Sequence, residues 1–403
     1  MENIVLLGGN ILNGGIVKNR KKYGADRVVV FDWNEDPAVK GDMFIRCDIK
    51  DADSILKYLE KHDIDKIKFV YTSADLAVLT QRIIHQKFGL LALEEDIIAK
   101  TLQKSTMTKI WEEKGLLNRR TYLLDRREKV DELDLKGEWI LKPNLCSGSR
   151  GITILHDGNL NQYQEAFDRA AEASWDNKVV IEQFVKGTEY TIEMLGDAYG
   201  NVAVCGISKK YHTIYNDKNK IAVKLHYNPL DVDEQTLESI ADYGVQCYKA
   251  LGLHTSLGHL EVMVTEDGRI SPLEIGARSS GYIASHCLDA INTFSFLDEY
   301  AKIIRGGHIE NGYVVNKEKS SMLYFYDMPE GHSVRGANIT EFLPKSIESL
   351  AFDRTMIQKG MDYKVIDGDG ERYGYEVLVG NRSDLTIENV EKAEKEFIKY
   401  IYD

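Results

Sequence analysis

The residues from His259 to Ile275 read His-Leu-Glu-Val-Met-Val-Thr-Glu-Asp-Gly-Arg-Ile-Ser-Pro-Leu-Glu-Ile. Asp267-Gly268 between two alternating runs predicts a β-hairpin with a two-residue loop. In that register residues pair when their numbers add to 535, which sets Glu261 directly opposite Glu274 on one face. Leu260, Val262, Val264, Leu273 and Ile275 then share the other face, which is expected to be buried. Two like charges set opposite each other repel. A divalent cation would offset the repulsion, since Mg²⁺ is usually held by one or two carboxylates together with substrate phosphates. Solvation by water and salt would offset it as well. Pro272 removes a ladder donor and favours an edge or a bulge, and a bulge would upset this pairing.

Trp139-Ile140-Leu141-Lys142-Pro143 predicts a short strand that ends in a lysine, followed by the small-residue loop Ser147-Gly148-Ser149-Arg150-Gly151. Backbone N–H groups of such a loop approach an anion closely, and serine hydroxyls add donors. Lys142 is a point charge suited to a phosphate. Taken alone, the pattern is equally an ordinary loop beside a solvated lysine. Next, Val179–Val185 and Thr188–Thr191 read as strand, short break, strand. Free backbone groups at such a break could pair with an adenine edge. Glu182 could accept from its exocyclic amine and Glu189 from ribose hydroxyls. Either glutamate could also be a plain strand position.

The elements that must carry these residues follow from periodicity. Runs at Ile4–Leu7, Val28–Phe31 and Ile67–Tyr71, with a helical spacing at Ile55, Leu56 and Leu59, predict a parallel sheet with crossover helices. Ligands bind beyond the carboxyl ends of such strands, where Gly8-Gly9-Asn10 and Asp32 lie. The glycine spacing (8, 9, 14, 15) does not match G-x-G-x-x-G and favours a structural turn. No Walker A pattern is present. One helix is expected over about 98–116, with Ile98, Leu102, Thr106, Ile110 and Trp111 as its apolar stripe and Lys100, Lys104 and Lys109 off it. A final helix is expected over Thr386–Tyr402, capped by Thr386 and buried through Val390, Ala393, Phe397 and Ile401.

Composition narrows the function classes. The 403 residues allow two to three domains. A net charge of −13 disfavours general attraction to nucleic acid. No apolar run is long enough to span a membrane, and the amino terminus lacks a signal-peptide pattern. Five widely spaced cysteines (47, 146, 205, 247, 287) without a Cys-x-x-Cys fit a reducing, cytoplasmic setting.

Taken in order, these parts resemble the ATP-grasp superfamily of carboxylate–amine ligases, over about residues 95–300. The resemblance implies an α/β multidomain fold. Its parts are an N-terminal Rossmann-like domain (1–97), an ATP-grasp core (98–306, with a small nucleotide subdomain at about 118–188) and a C-terminal strand-rich lid (307–403). It also implies ATP as substrate, with Lys104 and Lys142 on the phosphates, Ser147, Gly148, Ser149 and Gly151 in the closing loop, Glu182, Phe184 and Val185 at the adenine hinge and Glu189 at the ribose. One or two Mg²⁺ (or Mn²⁺) would sit on Glu261 and Glu274. Arg278 matches the arginine of Glu-x-Asn-x-Arg, Lys210 a further phosphate-side lysine (Lys209 being the alternative), and His259 a group near the reacting acyl phosphate. One departure stands out. Where the superfamily usually has an asparagine as a further metal ligand, this chain has Gly276. Water could fill that place, a single metal could suffice, or a neighbour could substitute.

The implied chemistry phosphorylates a carboxylate with ATP, after which an amine attacks the acyl phosphate. Positioning and electrostatic stabilisation would dominate. The partners would be a small carboxylate and a small amine, amino-acid-like, with a homodimer possible. A purine-pathway or carboxylase-type relative would share the nucleotide site, and a non-catalytic ATP-binding scaffold is the reading from another class. Cys146 is expected to be incidental, His212, His254 and His286 structural or substrate-facing, and Asp231–Glu234 a helix start.

Overall fold

The computed structural model describes residues 1–146, 150–215, 219–309, 317–353, 357–366 and 372–403. The N-terminal residues form a four-stranded parallel sheet of β1 (Asn3–Leu7), β2 (Arg27–Asp32), β3 (Met43–Arg46) and β4 (Ile67–Thr72), in the order β3-β2-β1-β4. Helices α1 (Gly15–Lys18), α2 (Ala52–Lys61) and α3 (Val78–Lys87) belong to it. Strands β1, β2 and β4 are almost continuously buried, as parallel strands covered on both faces must be. The glycines after β1 make a structural turn. The Gly9 N–H donates to Asp32 Oδ2 at 2.6 Å, and a Cβ at Gly9 would lie 2.5 Å from the Val39 carbonyl oxygen.

The helix expected over 98–116 is two helices, α4 (Glu95–Leu102) and α5 (Lys104–Glu113), broken at Gln103 (φ −104°, ψ 110°). No glycine or proline marks the break. Its cause is tertiary: Asn144, at the end of a distant strand, accepts from Lys104 N–H through its carbonyl (3.1 Å) and from Ser105 N–H through Oδ1 (3.0 Å). Those are first-turn donors that a helix leaves without intrahelical partners. The break also resets the helical phase. Lys104, expected off the apolar stripe, is buried, whereas Lys109 stays exposed.

Two antiparallel sheets follow. The smaller has β5 (Thr121–Leu124), β6 (Glu138–Pro143), β7 (Thr153–His156) and β8 (Val179–Gln183) in the order β5-β8-β6-β7, backed by α6 (Leu160–Ala173) through Tyr163, Phe167 and Ala170. The larger has eight strands. They are β9 (Thr188–Gly196), β10 (Val202–Tyr215), β11 (Asn219–Tyr227), β12 (Ser256–Val264) and β13 (Ile270–Gly276), then β14 (Lys319–Phe325), β16 (Glu348–Asp353) and β18 (Tyr375–Asn381). Their order is β13-β12-β9-β10-β11-β14-β18-β16, so this sheet runs without interruption across the boundary expected near residue 306. A two-stranded ribbon pairs β15 (Gly331–His332) with β17 (Asp362–Tyr363).

Helix α7 (Glu234–Ala250) starts at Asp233, whose carboxylate accepts from Thr236 N–H, and packs on one face of the large sheet against Ile192, Met194, Leu260 and Val262. Helices α8 (Tyr282–Ile291) and α9 (Phe296–Ile303) pack between the large sheet and the N-terminal one. Helix α10 (Ile387–Tyr402) is capped by Thr386 and buries Val390, Ala393, Phe397 and Ile401, the positions expected from its spacing. The α/β class and the parallel N-terminal sheet thus stand as expected. Among the described residues, no helix is long and apolar enough to cross a membrane.

Candidate active site

The hairpin β12–β13 does set Glu261 opposite Glu274, but by a different route from the simple register. The loop has three residues, with Thr265 N–H donating to the Arg269 carbonyl at 2.9 Å and Gly268 in the left-handed region at φ +80°. Val264 therefore pairs with Ile270 and Val262 with Pro272, one residue out of the expected register. A bulge between Glu261 and Val262 then makes Leu273 the extra residue and restores the pairing at the glutamates. Pro272 is the physical reason, since it has no N–H to donate at that rung. Leu273 is accordingly only half-buried, whereas Leu260, Val262 and Ile275 are in the core.

Each glutamate meets a lysine from another element. Lys104, the first residue of α5, lies 2.9 Å from Glu274 and also donates to the Cys146 carbonyl at 3.1 Å. Lys210 on β10 lies 2.5 Å from Glu261 and 2.6 Å from Glu189 on β9. Lys209 points elsewhere, to Asp231. Burial works against every one of these charges, yet the partners prevail. Lys104 and Lys210 are held above the usual lysine value by Glu274 and by Glu261 and Glu189, respectively. Glu261 is held down to about 2 by Lys210, and Glu274 is held low by Lys104. All four groups are charged at neutral pH.

A second cluster lies in the smaller sheet. Lys142, at the end of β6, is 2.9 Å from Glu182 on β8. Arg119 completes it, donating from Nε and Nη2 to Glu182 Oε2 at 3.1 and 2.9 Å. The Nη1 of Arg119 reaches Ser271 Oγ (2.6 Å) and the Pro272 carbonyl (2.8 Å) on the hairpin. One side chain therefore ties the smaller sheet to the bulge that sets Glu274. Glu182 Oε1 is buried and has no hydrogen-bond partner among the described residues. Burial, and the adjacent Arg119, push Lys142 below its ordinary value despite Glu182.

The remaining expected residues sit around these clusters. Phe184 and Val185 occupy the break between β8 and β9, with Phe184 N–H donating to the Glu138 carbonyl at 2.8 Å. Gly151 packs against α6, where a Cβ would lie 2.7 Å from that of Ala173. Ser147, Gly148 and Ser149 lie outside the described residues. His259 donates or accepts at Glu193 Oε1 through Nδ1 (2.7 Å) and faces Glu261 through Nε2 (3.6 Å). Burial opposes its charge, but Glu193 raises it to about 9. Arg278 makes a two-pronged pair with Asp75 at 2.8 and 2.8 Å. Asp75, Lys104, Met107, Cys146, Trp175, His259, Glu274 and Arg278 line one cavity. His212 lies 3.2 Å from Glu189, and His254 lies 2.7 Å from Glu94.

Sequence reading did not single out Arg119, Asn144, Glu193 or Asp75. Glu193 had a signal, since it follows Glu189 and Thr191 at the two-residue period of a strand face. Asp75 follows the carboxyl end of β4, the ligand end of a parallel strand. Arg119 and Asn144 had none, because each acts on elements remote in the chain.

The carboxylates fit a divalent cation in charge and in the choice of oxygen donors, and each is at present neutralised by a lysine. Among the described residues no three acidic, histidine or cysteine side chains converge on one point.

Residues 135–286 match the ATP-grasp domain. D-alanine–D-alanine ligase of Bordetella petrii is 26% identical over 200 residues, covering 47% of this chain and 57% of that protein. The corresponding ligase of Acetivibrio thermocellus is 31% identical over 129 residues, covering 30% of this chain and 32% of that one. The chain thus spans from about a third to somewhat over half of these relatives' length. Among solved structures, L-amino acid ligase from Bacillus licheniformis superposes with a TM-score of 0.76 at 16% identity, covering 100% of this chain and 99% of that one. Phosphoribosylglycinamide synthetase from Anaerococcus prevotii gives 0.68 at 13% identity, covering 99% and 98%. At these identities the likeness is one of fold. Residues 135–286 thus match the ATP-grasp domain, part of the chain is similar to D-alanine–D-alanine ligases, and the whole chain is similar in fold to L-amino acid ligase.

Proposed function

We propose that the protein is an ATP-dependent carboxylate–amine ligase that makes an acyl phosphate and then an amide bond, acting on amino-acid-like substrates. The observation that carries this reading is the opposite charge balance of two clusters joined through Arg119. The cluster in the smaller sheet holds two cations, Lys142 and Arg119, on one acid, Glu182. The cluster in the larger sheet holds two acids, Glu189 and Glu261, on one cation, Lys210, with Glu274 beside them on the neighbouring strand. A polyphosphate suits the first cluster, and a cation that accompanies it suits the second.

In this reading Lys142 and Lys104 hold phosphate oxygens, and Lys210 keeps Glu189 and Glu261 in place. Phe184 and Val185 meet the base, and Glu189 meets the ribose. Glu261 and Glu274 would hold Mg²⁺, which when bound neutralises phosphate oxygens and lowers the barrier to phosphoryl transfer. Arg278 and His259, both on the cavity wall, hold the carboxylate oxygens as charge moves onto them. The carboxylate oxygen attacks the γ-phosphorus, its bond to ADP breaks, and the amine then displaces phosphate from the acyl carbon. The residues supply orientation and fixed charge, and no covalent enzyme intermediate is needed. Cys146 contributes its carbonyl to Lys104, in keeping with an incidental thiol.

The test is release of ADP and phosphate over a panel of amino acids and dipeptides paired with amines, with hydroxylamine to trap the acyl phosphate. Release that requires both an acid and an amine, with an acyl hydroxamate formed when hydroxylamine replaces the amine, is expected. ATP binding without turnover across the panel would favour a scaffold. Turnover with phosphoribosylamine or bicarbonate alone would favour the purine-pathway or carboxylase alternative.

A further inference from the structure

Position 276 lacks the side chain that the sequence pattern leads one to expect there, and the volume beside it is filled. A Cβ built on Gly276 would lie 2.9 Å from Asp75 Oδ1 and 3.2 Å from Arg278 Cγ. Asp75 belongs to the turn after β4, in the N-terminal lobe, far from Gly276 in the chain. Its two oxygens take the Nε and Nη2 protons of Arg278, at 2.8 Å each. The Nη1 of Arg278 donates to the Ser279 carbonyl at 3.1 Å, and Tyr71 on β4 meets Ser279 Oγ at 2.6 Å. The N-terminal lobe therefore grips the segment after β13 at two adjacent points. Both members of the pair line the cavity that holds Lys104, Glu274 and His259.

We propose that Asp75 is a positioning residue for Arg278, a carboxylate supplied by the N-terminal lobe in the space left free by Gly276. A guanidinium clamped along its Nε–Nη2 edge, with one Nη1 proton on the Ser279 carbonyl, keeps two N–H groups for an incoming oxyanion. A carboxylate–guanidinium fork fixes that orientation more tightly than one hydrogen bond can. Gly276 is then required, because any larger residue pushes the Asp75 carboxylate off the guanidinium. Docking of the N-terminal lobe becomes a condition for binding the acid. This rests on the ligase reading for its consequence in catalysis, but the clamp itself does not.

The experiment compares Asp75→Asn, Asp75→Ala, Gly276→Ala and the double variant Asp75→Ala/Gly276→Asn with the full-length protein. For Asp75→Asn, kcat/KM for the acid is expected to fall about ten-fold or more, while affinity for a non-hydrolysable ATP analogue stays within about two-fold. Gly276→Ala is expected to copy that pattern from the other side of the contact. The double variant returns an oxygen to the same volume from the strand itself, and it is expected to recover a good part of what Asp75→Ala loses. Asp75→Asn and Gly276→Ala both acting as wild type would overturn the proposal. So would parallel losses in nucleotide affinity and in the acid, which mark a merely structural contact. If the wild-type chain turns over no acid at all, the ligase reading fails, and the clamp is still decided by hydrogen exchange at residues 275–281. Faster exchange there in Asp75→Asn supports it, and unchanged exchange refutes it.

Discussion

Two acid–base clusters are joined through Arg119 and are built differently. In the smaller sheet, Lys142, Glu182 and Arg119 are 7%, 1% and 4% exposed at their side chains. In the hairpin cluster, Glu261 is 21% and Glu274 38% exposed, although their lysine partners are as buried as Lys142. The closed cluster sets both of its cations on one oxygen of its acid, Glu182 Oε2. The open one leaves its acids partly exposed, and Glu274 lines the cavity. A buried pair that loses one member leaves a stranded charge, which costs far more than the intact pair contributes. The first cluster is thus suited to holding two sheets in register, the second to exchanging its lysine contacts for a ligand.

That difference predicts where substitutions hurt. Glu274→Gln is expected to lower ADP formation by about three orders of magnitude, roughly 4 kcal/mol, with the melting temperature little changed. Full activity in that variant would mean that the open cluster is not the reacting one. Arg119→Met is expected to act the other way, as a stability loss of roughly 3 kcal/mol in urea unfolding, because it also strands Ser271 Oγ and the Pro272 carbonyl. A variant as stable as wild type would erase the contrast drawn here. Lys142→Ala should show both effects in smaller measure, since Arg119 still neutralises Glu182. A 10- to 100-fold weaker ATP affinity, about 1.4–2.7 kcal/mol, is expected from titration calorimetry.

The smallest expected effect comes from acid. Glu182, Glu261 and Glu274 are all held below the usual carboxylate range, by burial-opposed attraction to Lys142 and Arg119, to Lys210 and to Lys104. They therefore keep their charge as pH falls from 7 to 5.5. The loss in that window should come instead from His85 and His226, which burial lowers to about 4 in the folded chain. The unfolded chain binds their protons first, near pH 6.5. Stability accordingly falls with pH below that value, by about 1.4 kcal/mol for each histidine at pH 5.5. Replacing both by glutamine should flatten this limb of the stability profile measured by chemical unfolding. An unchanged slope would move the acid sensitivity to one of the two clusters.

Much of the fold was legible in local pattern. The alternation at Ile4–Leu7, Val28–Phe31 and Ile67–Tyr71 anticipates β1, β2 and β4, and the stripe of α10 was read residue by residue, because one buried face imposes its period on the chain. The short strand β3 was not anticipated, as it carries only four residues of mixed burial. In the site, the opposition of Glu261 and Glu274 was anticipated through an Asp-Gly turn that is one residue longer than expected. The bulge at Pro272 cancels that error. Lys104 was misplaced on a continuous helix, because the break at Gln103 is made by Asn144 and not by any residue of the helix itself.

The sequence by itself determined β1, β2, β4 and α10, the β-ribbon that carries two acids and the lysine near the end of β6. Each of these depends on side-chain period and turn chemistry within a few neighbouring residues. Only the tertiary structure decided that Arg119 bridges the smaller sheet to the hairpin, that Glu193 backs His259, and that Asp75 fills the space beside Gly276. Those contacts join residues far apart in the chain, and nothing in local composition encodes which distant charge will meet which. They form because a buried charge must find a partner, and packing of the lobes settles which partner is within reach.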